Sequence, residues 1–317
     1  MNIPVFDLHC DTALELLARD ERPERSLRRN DCHIDLERAG TLAGYCQCFA
    51  CFTTPMMEKW MKVSPVTVFE REVEILQKAL RENQDVINQA FTADDVENNL
   101  RNGMMSAIFT IEGPAGFNFD PARLEELYKM GFRITSLGWN EQNPLAGSNV
   151  TGGGLTDLGR EYVKEAQRLG MIIDVSHISD EAFWDIMDVT NAPVIATHSN
   201  SRAVCGHSRN LTDDMFLAIC KTGGVAGFNQ YEAFVGKDSD LNTACDHFIH
   251  FMELDPDGKH IALGGDLDGC EELPKGFTGV ESYPNLADSL HARGLNETNL
   301  YDIYWNNALG VMKRCCI

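Results

Sequence analysis

Residues 170–198 read GMIIDVSHISDEAFWDIMDVTNAPVIATH, and this stretch decides how the rest of the chain is read. GMIIDVS and APVIATH are short apolar runs rich in Ile and Val, without long polar alternation, as suits strands buried on both faces. Between them Ser179 is followed by Asp180 and Glu181, carboxylates that a helix dipole favours in its first turn. The stretch is therefore a strand, a helix and a second strand. His177 follows the first run and His198 ends the second.

Working outward, the same unit recurs along the chain. Candidate strands are IPVFD (3–7), GYCQCFACF (44–52), MSAIFTI (105–111), FRITSL (132–137), the two runs above, GVAGFN (224–229) and HIALGGD (260–266). Helical spacing of apolar residues fills the gaps. A long helix is expected near 66–89, and another runs from a Thr156 cap to a Gly170 stop. Helices near 283–292 and 297–313 close the sequence. Eight strand–helix units with no dividing linker predict an α/β fold: a single (β/α)8 TIM barrel over residues 1–317, with its active site at the C-terminal ends of the strands.

Composition narrows the function. The 317 residues are 44% hydrophobic and 24% charged, with a net charge of −21. So acidic a chain lacks the basic surface that nucleic-acid binding requires. Residues 1–10 hold no basic segment before an apolar one, and no run of about 18 apolar residues could span a bilayer. A cytoplasmic protein is expected, and three glycosylation sequons (at Asn149, Asn210 and Asn296) read as chance. Eleven cysteines occur. Cys48-Phe-Ala-Cys51 has redox-pair spacing, but no helix start follows it to stabilise a thiolate, so reduced, buried cysteines are expected.

The polar residues that end the apolar runs carry the chemistry. Strand one leads to His9 and Asp11, strand three to Glu112, strand five to His177, strand six to His198, and strand eight to Asp266 and Asp268. One histidine at a strand end is most often a packing residue. Four strands delivering metal-type ligands to one rim, with a fifth adding aspartates, point to a metal centre. His9 and Asp11 are two apart, so on an extended backbone they face the same way. Glu112 has two oxygens and could bridge two ions, the second completed by His177 and His198. Zn suits histidine with carboxylate, though Mn and Fe accept the same set.

Other motifs stay outside this constellation. His33-Ile-Asp35 follows a polar stretch and reads as loop or helix cap. Gly152-Gly153-Gly154 lacks the lysine pattern of a phosphate loop and reads as a flexible loop over the site. No G-x-S-x-G elbow is present and no lysine closes a strand, which disfavours serine hydrolases and Schiff-base enzymes.

The pieces DLHCDT (7–12), TADDVENNLRNG (92–103), TIEGPAG (110–116), IDVSHIS (173–179), PVIATHSNSRAVCGHSRNLTDD (193–214) and LGGDLDG (263–269) resemble the membrane (renal) dipeptidase family of metal-dependent amidohydrolase barrels. They run in that family's order across nearly the whole chain. The resemblance implies a two-zinc dipeptidase: His9, Asp11 and Glu112 on one ion, and Glu112, His177 and His198 on the other. It implies that Asp266 transfers the proton, that Arg209 holds the substrate carboxylate, and that the protein is a homodimer acting on small peptides, L,D-dipeptides among them. Asp268 is a further candidate for substrate contact. One departure is Trp139, which stands where the family's substrate-binding histidine would fall and is expected to wall the substrate pocket. Two other readings stay open: a related amidohydrolase of N-acyl amino acids or lactams, and a non-catalytic metal-binding barrel.

Overall fold

The computed structural model describes residues 2–17 and 26–316. Its eight main strands are β1 (Val5–Cys10), β2 (Tyr45–Phe52), β3 (Met105–Glu112), β4 (Phe132–Ser136), β5 (Ile172–Asp174), β6 (Val194–Ile195), β7 (Ala226–Phe228) and β8 (Ile261–Leu263). They pair in parallel in the order β7-β8-β1-β2-β3-β4-β5-β6. Ala196, just past β6, bridges in parallel to Ala226 of β7 and closes the ring. Every expected strand run contributes one of these strands, so the TIM-barrel expectation holds. Several strands are shorter than their apolar runs.

The barrel is filled in two tiers. Phe6, Cys46, Ile108, Ile134, Ile172, Ile195, Val225 and Ala262 form one buried apolar cluster to which each strand, or the residue just before it, contributes. The C-terminal helix Asn307–Cys315 packs on this layer through Ala308, Leu309 and Met312. Polar residues follow toward the other end: Thr110 and Glu112 of β3, Ser136 of β4 and Asp174 of β5 are all buried. Because β-strand side chains alternate, Cys46 and Cys48 join this inner cluster while Cys51 falls in the outer one. The C-x-x-C pair is split between two faces, and its thiols are pushed up by burial.

Three local features differ from the expected pattern. In β1, Asp7 pairs with Gln47 but Cys10 pairs with Phe49, so three steps on β1 match two on β2. This bulge turns the strand, and the Asp7 carboxylate accepts the His9 N–H at 2.9 Å. The glycine run is not a free loop: Gly152–Leu155 forms an antiparallel hairpin with Ala146–Ser148. The last long helix is broken by a π-helical turn at Asp302–Asn306, which packs against β1 and β8. Asp35 caps the helix Leu36–Ala39, as its H-x-D context suggested.

Candidate active site

Three of the site residues sit three positions beyond the last ladder residue of their strand: His177 after β5, His198 after β6 and Asp266 after β8. His177 and Asp266 have φ of 72° and 55°, left-handed conformations that β-carbons disfavour. Backbone strain of this kind persists only where surrounding contacts over-determine it. Here Asn149 donates its N–H to the His177 carbonyl at 2.8 Å, and Asp266 donates its N–H to the His9 carbonyl at 3.2 Å. Glu112 is the last residue of β3, and the β1 bulge delivers His9.

These residues converge. His9 Nε2 lies 3.3 Å from Asp11 Oδ2, 3.3 Å from Glu112 Oε2 and 3.8 Å from Asp266 Oδ1. The other Glu112 oxygen, Oε1, is 3.0 Å from His177 Nε2 and 3.8 Å from His198 Nε2. Glu112 thus presents one oxygen to each side. Ligand atoms of His9, Glu112 and His198 cluster, as do those of His9, Asp11 and Asp266. Glu112 Oε1, His177 Nε2 and His198 Nε2, the residues expected around a second ion, also lie within 3.8 Å of one another.

The donor set fits a cation, because the histidine tautomers leave bare nitrogens facing inward. His177 Nδ1 lies 2.9 Å from Asn140 Oδ1, which can only accept, so the ring proton is on Nδ1. Thr197 gives its hydroxyl hydrogen to Asp174 Oδ2 at 2.6 Å, and its oxygen then accepts from His198 Nδ1 at 2.7 Å. Both Nε2 atoms are therefore bare, and they face each other 2.9 Å apart in a buried setting. Opposed lone pairs repel unless a positive charge lies between or beside them. His9 Nε2 and Asp11 Oδ1 are likewise buried with no hydrogen-bond partner. Fixing the far nitrogen of a histidine so that the near one is free is how proteins orient metal ligands.

Electrostatics say the same. Burial, then the Asp11 charge, pushes Glu112 up to about 8, and burial raises Asp266 to about 6. Burial, helped by nearby positive charge, holds His177 and His198 well below the usual histidine range, so both stay neutral. For His9 burial is outweighed by Glu112 and Asp11, and its pKa rises well above normal. Three carboxylates this close and this dry are costly without a counter-charge.

A cavity of about 370 Å³ opens on this group, lined by Asp11, Glu112, His177, Asp266 and Asp268 together with Leu14, Phe52, Trp139, Asn140, Tyr231, Phe234, Gly269 and Glu271. A Cβ at Gly269 would lie 2.1 Å from Asp11 Oδ2 and 2.5 Å from Asp266 Oδ1, so a larger residue there would displace these carboxylates. The Trp139 ring stands edge-on to Phe52 at 5.3 Å and Trp60 at 5.6 Å, and tilted to His177 at 6.0 Å. Asp268 is anchored: its carboxylate accepts from the Thr12 hydroxyl at 2.6 Å and the His33 N–H at 2.5 Å. Its side chain is 1% exposed, though the residue lines the cavity. Arg209 borders a narrow recess with His177 and Ser199 beside the main cavity, and its guanidinium lies 5.3 Å above the Phe234 ring. It donates to Ser199 Oγ at 3.2 Å, while its Nε is buried without a partner.

Several supporting residues escaped the reading of strand ends. Asn229 donates to Asp266 Oδ2 at 2.9 Å and ends the seventh apolar run, so the same search would have found it. Asp174 lies within IDVSHIS and was also accessible. Asn140 and Tyr231 lie in loops and Phe234 in the short helix Glu232–Val235, and none had a local signal.

The sequence matches the membrane dipeptidase family (peptidase family M19) over residues 1–315. A Schizosaccharomyces pombe protein named as an uncharacterized dipeptidase is 37% identical over 221 residues, 68% of this chain and 54% of that protein, so the match spans about half of that relative's length. A Klebsiella pneumoniae protein from the region 5′ of pqqA is 33% identical over 263 residues, 78% of this chain and 96% of its own. Among solved structures, a metallopeptidase from Rhodobacter sphaeroides, liganded with a phosphinate mimic of the dipeptide L-Ala-D-Ala, superposes with a TM-score of 0.89 at 27% identity, covering 99% of this chain and 100% of that one.

Proposed function

Because the chain belongs to the membrane dipeptidase family, we propose that it is a metal-dependent dipeptidase cleaving the amide bond of dipeptides with a free C-terminal carboxylate, L,D-dipeptides among them. The observation that carries this reading is the pair of bare Nε2 atoms of His177 and His198, opposed at 2.9 Å beside Glu112. His9, Asp11 and Glu112 would hold one divalent ion, and Glu112, His177 and His198 a second, with Zn the best match to the donors. Such ions, when bound, polarise a carbonyl and lower the pKa of water from about 15.7 to about 7.

The chain's own groups do the rest. Asp266 takes the proton of the attacking water and returns it to the leaving amine. Asn229 holds its Oδ2, which leaves Oδ1 on the His9 side. A carboxyl raised to about 6 by burial can both accept and return a proton near neutral pH. Arg209 binds the substrate carboxylate. Among the described residues no Asp or Glu lies within ion-pair distance of it, so a buried guanidinium waits for an anion. Trp139 and Phe52 wall the pocket. The ligand of the Rhodobacter sphaeroides relative supports an L,D-dipeptide as substrate.

The test is hydrolysis of L-Ala-L-Ala and L-Ala-D-Ala by metal-loaded protein and by Asp266→Asn. The variant should keep its metal and lose about 10²–10⁴-fold in kcat. A near-normal kcat would move proton transfer to another group. Failure of the metal-loaded wild type on every dipeptide would overturn the reading.

A further inference from the structure

The cavity is uneven in charge. No Lys or Arg lines it. Asp11, Glu112 and Asp266 are buried at its base, where the proposed ions would offset them. Glu271 is different: it is exposed at the cavity wall, and among the described residues no basic side chain lies within ion-pair distance of it. Its Oε2 accepts a hydrogen bond from the Tyr231 hydroxyl at 3.0 Å, which fixes the carboxylate. Tyr231 in turn stands edge-on to Phe234 at 4.9 Å. A carboxylate held at the cavity wall by a hydrogen bond, with no basic partner of its own, attracts a cation that enters the cavity.

Position in the barrel sharpens this. Glu271 follows β8 and Trp139 follows β4, and in a closed ring of eight these strands lie opposite each other. One wall is thus apolar, made by Phe52 and Trp139, and the facing wall is acidic. We propose that Glu271, fixed by Tyr231, is a specificity-determining residue that makes this site prefer dipeptides bearing one basic side chain. The inference rests on the dipeptidase reading and names the substrate class within it.

The experiment compares kcat/KM for Ala-Ala, Lys-Ala and Ala-Lys with their norleucine counterparts, on metal-loaded wild type, Glu271→Gln and Glu271→Lys. A lysine in one of the two positions should be favoured over norleucine by about three- to tenfold, mostly in KM, as for a partly exposed ion pair. Glu271→Gln should bring the lysine-to-norleucine ratio of kcat/KM to about one, each ratio taken on the same protein, and Glu271→Lys should reverse the preference. Raising the salt concentration should shrink the wild-type preference, because exposed pairs are screened. Hydrolysis of Ala-Ala with no lysine preference, or with one that survives Glu271→Gln, would overturn this inference alone. No hydrolysis of any dipeptide would instead overturn the reading beneath it.

Discussion

At the scale of single residues, two side chains separate binding from packing. Arg209 is buried, and burial lowers its pKa, yet its Nε has no partner. An arginine in that state is costly unless an anion completes it. Arg209→Met should therefore raise KM for free dipeptides while sparing their C-terminal amides. The loss should be about 2–5 kcal/mol in kcat/KM, as for other desolvated charge pairs. Equal losses for acids and amides would make Arg209 a packing residue. Trp139 brings an indole face rather than a short donor, and its neighbours Phe52 and Trp60 extend that face. Trp139→Ala should cost Phe- and Leu-containing dipeptides about tenfold in kcat/KM while Ala-Ala changes little. A uniform fall in kcat across the panel would put Trp139 in the chemistry instead.

At the scale of elements, the hairpin beside β5 matters more than its glycine-rich sequence suggested. Gly147 carries no side chain because a Cβ there would lie 1.9 Å from the Gly152 carbonyl oxygen and 2.4 Å from that of Gly153. Both are backbone atoms that cannot swing aside. The hairpin also grips the next segment: Ser179 donates its N–H to the Gly147 carbonyl at 3.1 Å, and Asn149 holds His177. Gly147→Ala should lower stability by about 1–3 kcal/mol, the usual penalty for overpacking, and should reduce the bound ion content as His177 shifts. Wild-type melting with full ion content would show that the hairpin does not position His177. The strands themselves were legible, since parallel strands covered on both faces leave unbroken apolar runs. Their true lengths were not. β6 keeps only Val194 and Ile195 in the ladder because the chain leaves early to aim His198. The β1 bulge was also invisible, because Asp7 reads like any polar residue before its partner Gln47 is known.

At the scale of the whole molecule, the ion site ties most of the barrel together. Its groups come from β1, β3 and the segments after β5, β6 and β8, so a bound ion cross-links parts of the chain far apart in sequence. Removing it leaves three close carboxylates and two opposed lone pairs in a dry interior. Chelation should therefore lower Tm, and ion at about a hundredfold excess over Kd should restore about 2.7 kcal/mol of stability. The loaded protein should carry close to two ions per chain, with His177→Ala and His198→Ala each losing one. A Tm unaffected by chelator, with no transition metal found by elemental analysis, would remove the metal from the account.

The amino-acid order determined the number of barrel strands, the rim on which His9, Glu112, His177, His198 and Asp266 fall, and the net charge of −21. These are local properties: strand burial, periodicity and charge are written within a few neighbouring residues. Tertiary structure alone decided which way those groups face. The bare nitrogen of His177 depends on Asn140, 37 positions earlier, and the anchoring of the Asp268 carboxylate depends on Thr12, 256 positions away. Such partners meet only when the ring closes. A hydrogen bond between distant residues leaves no period in either segment, so the proton on a histidine or the direction of a carboxylate is settled by the folded barrel.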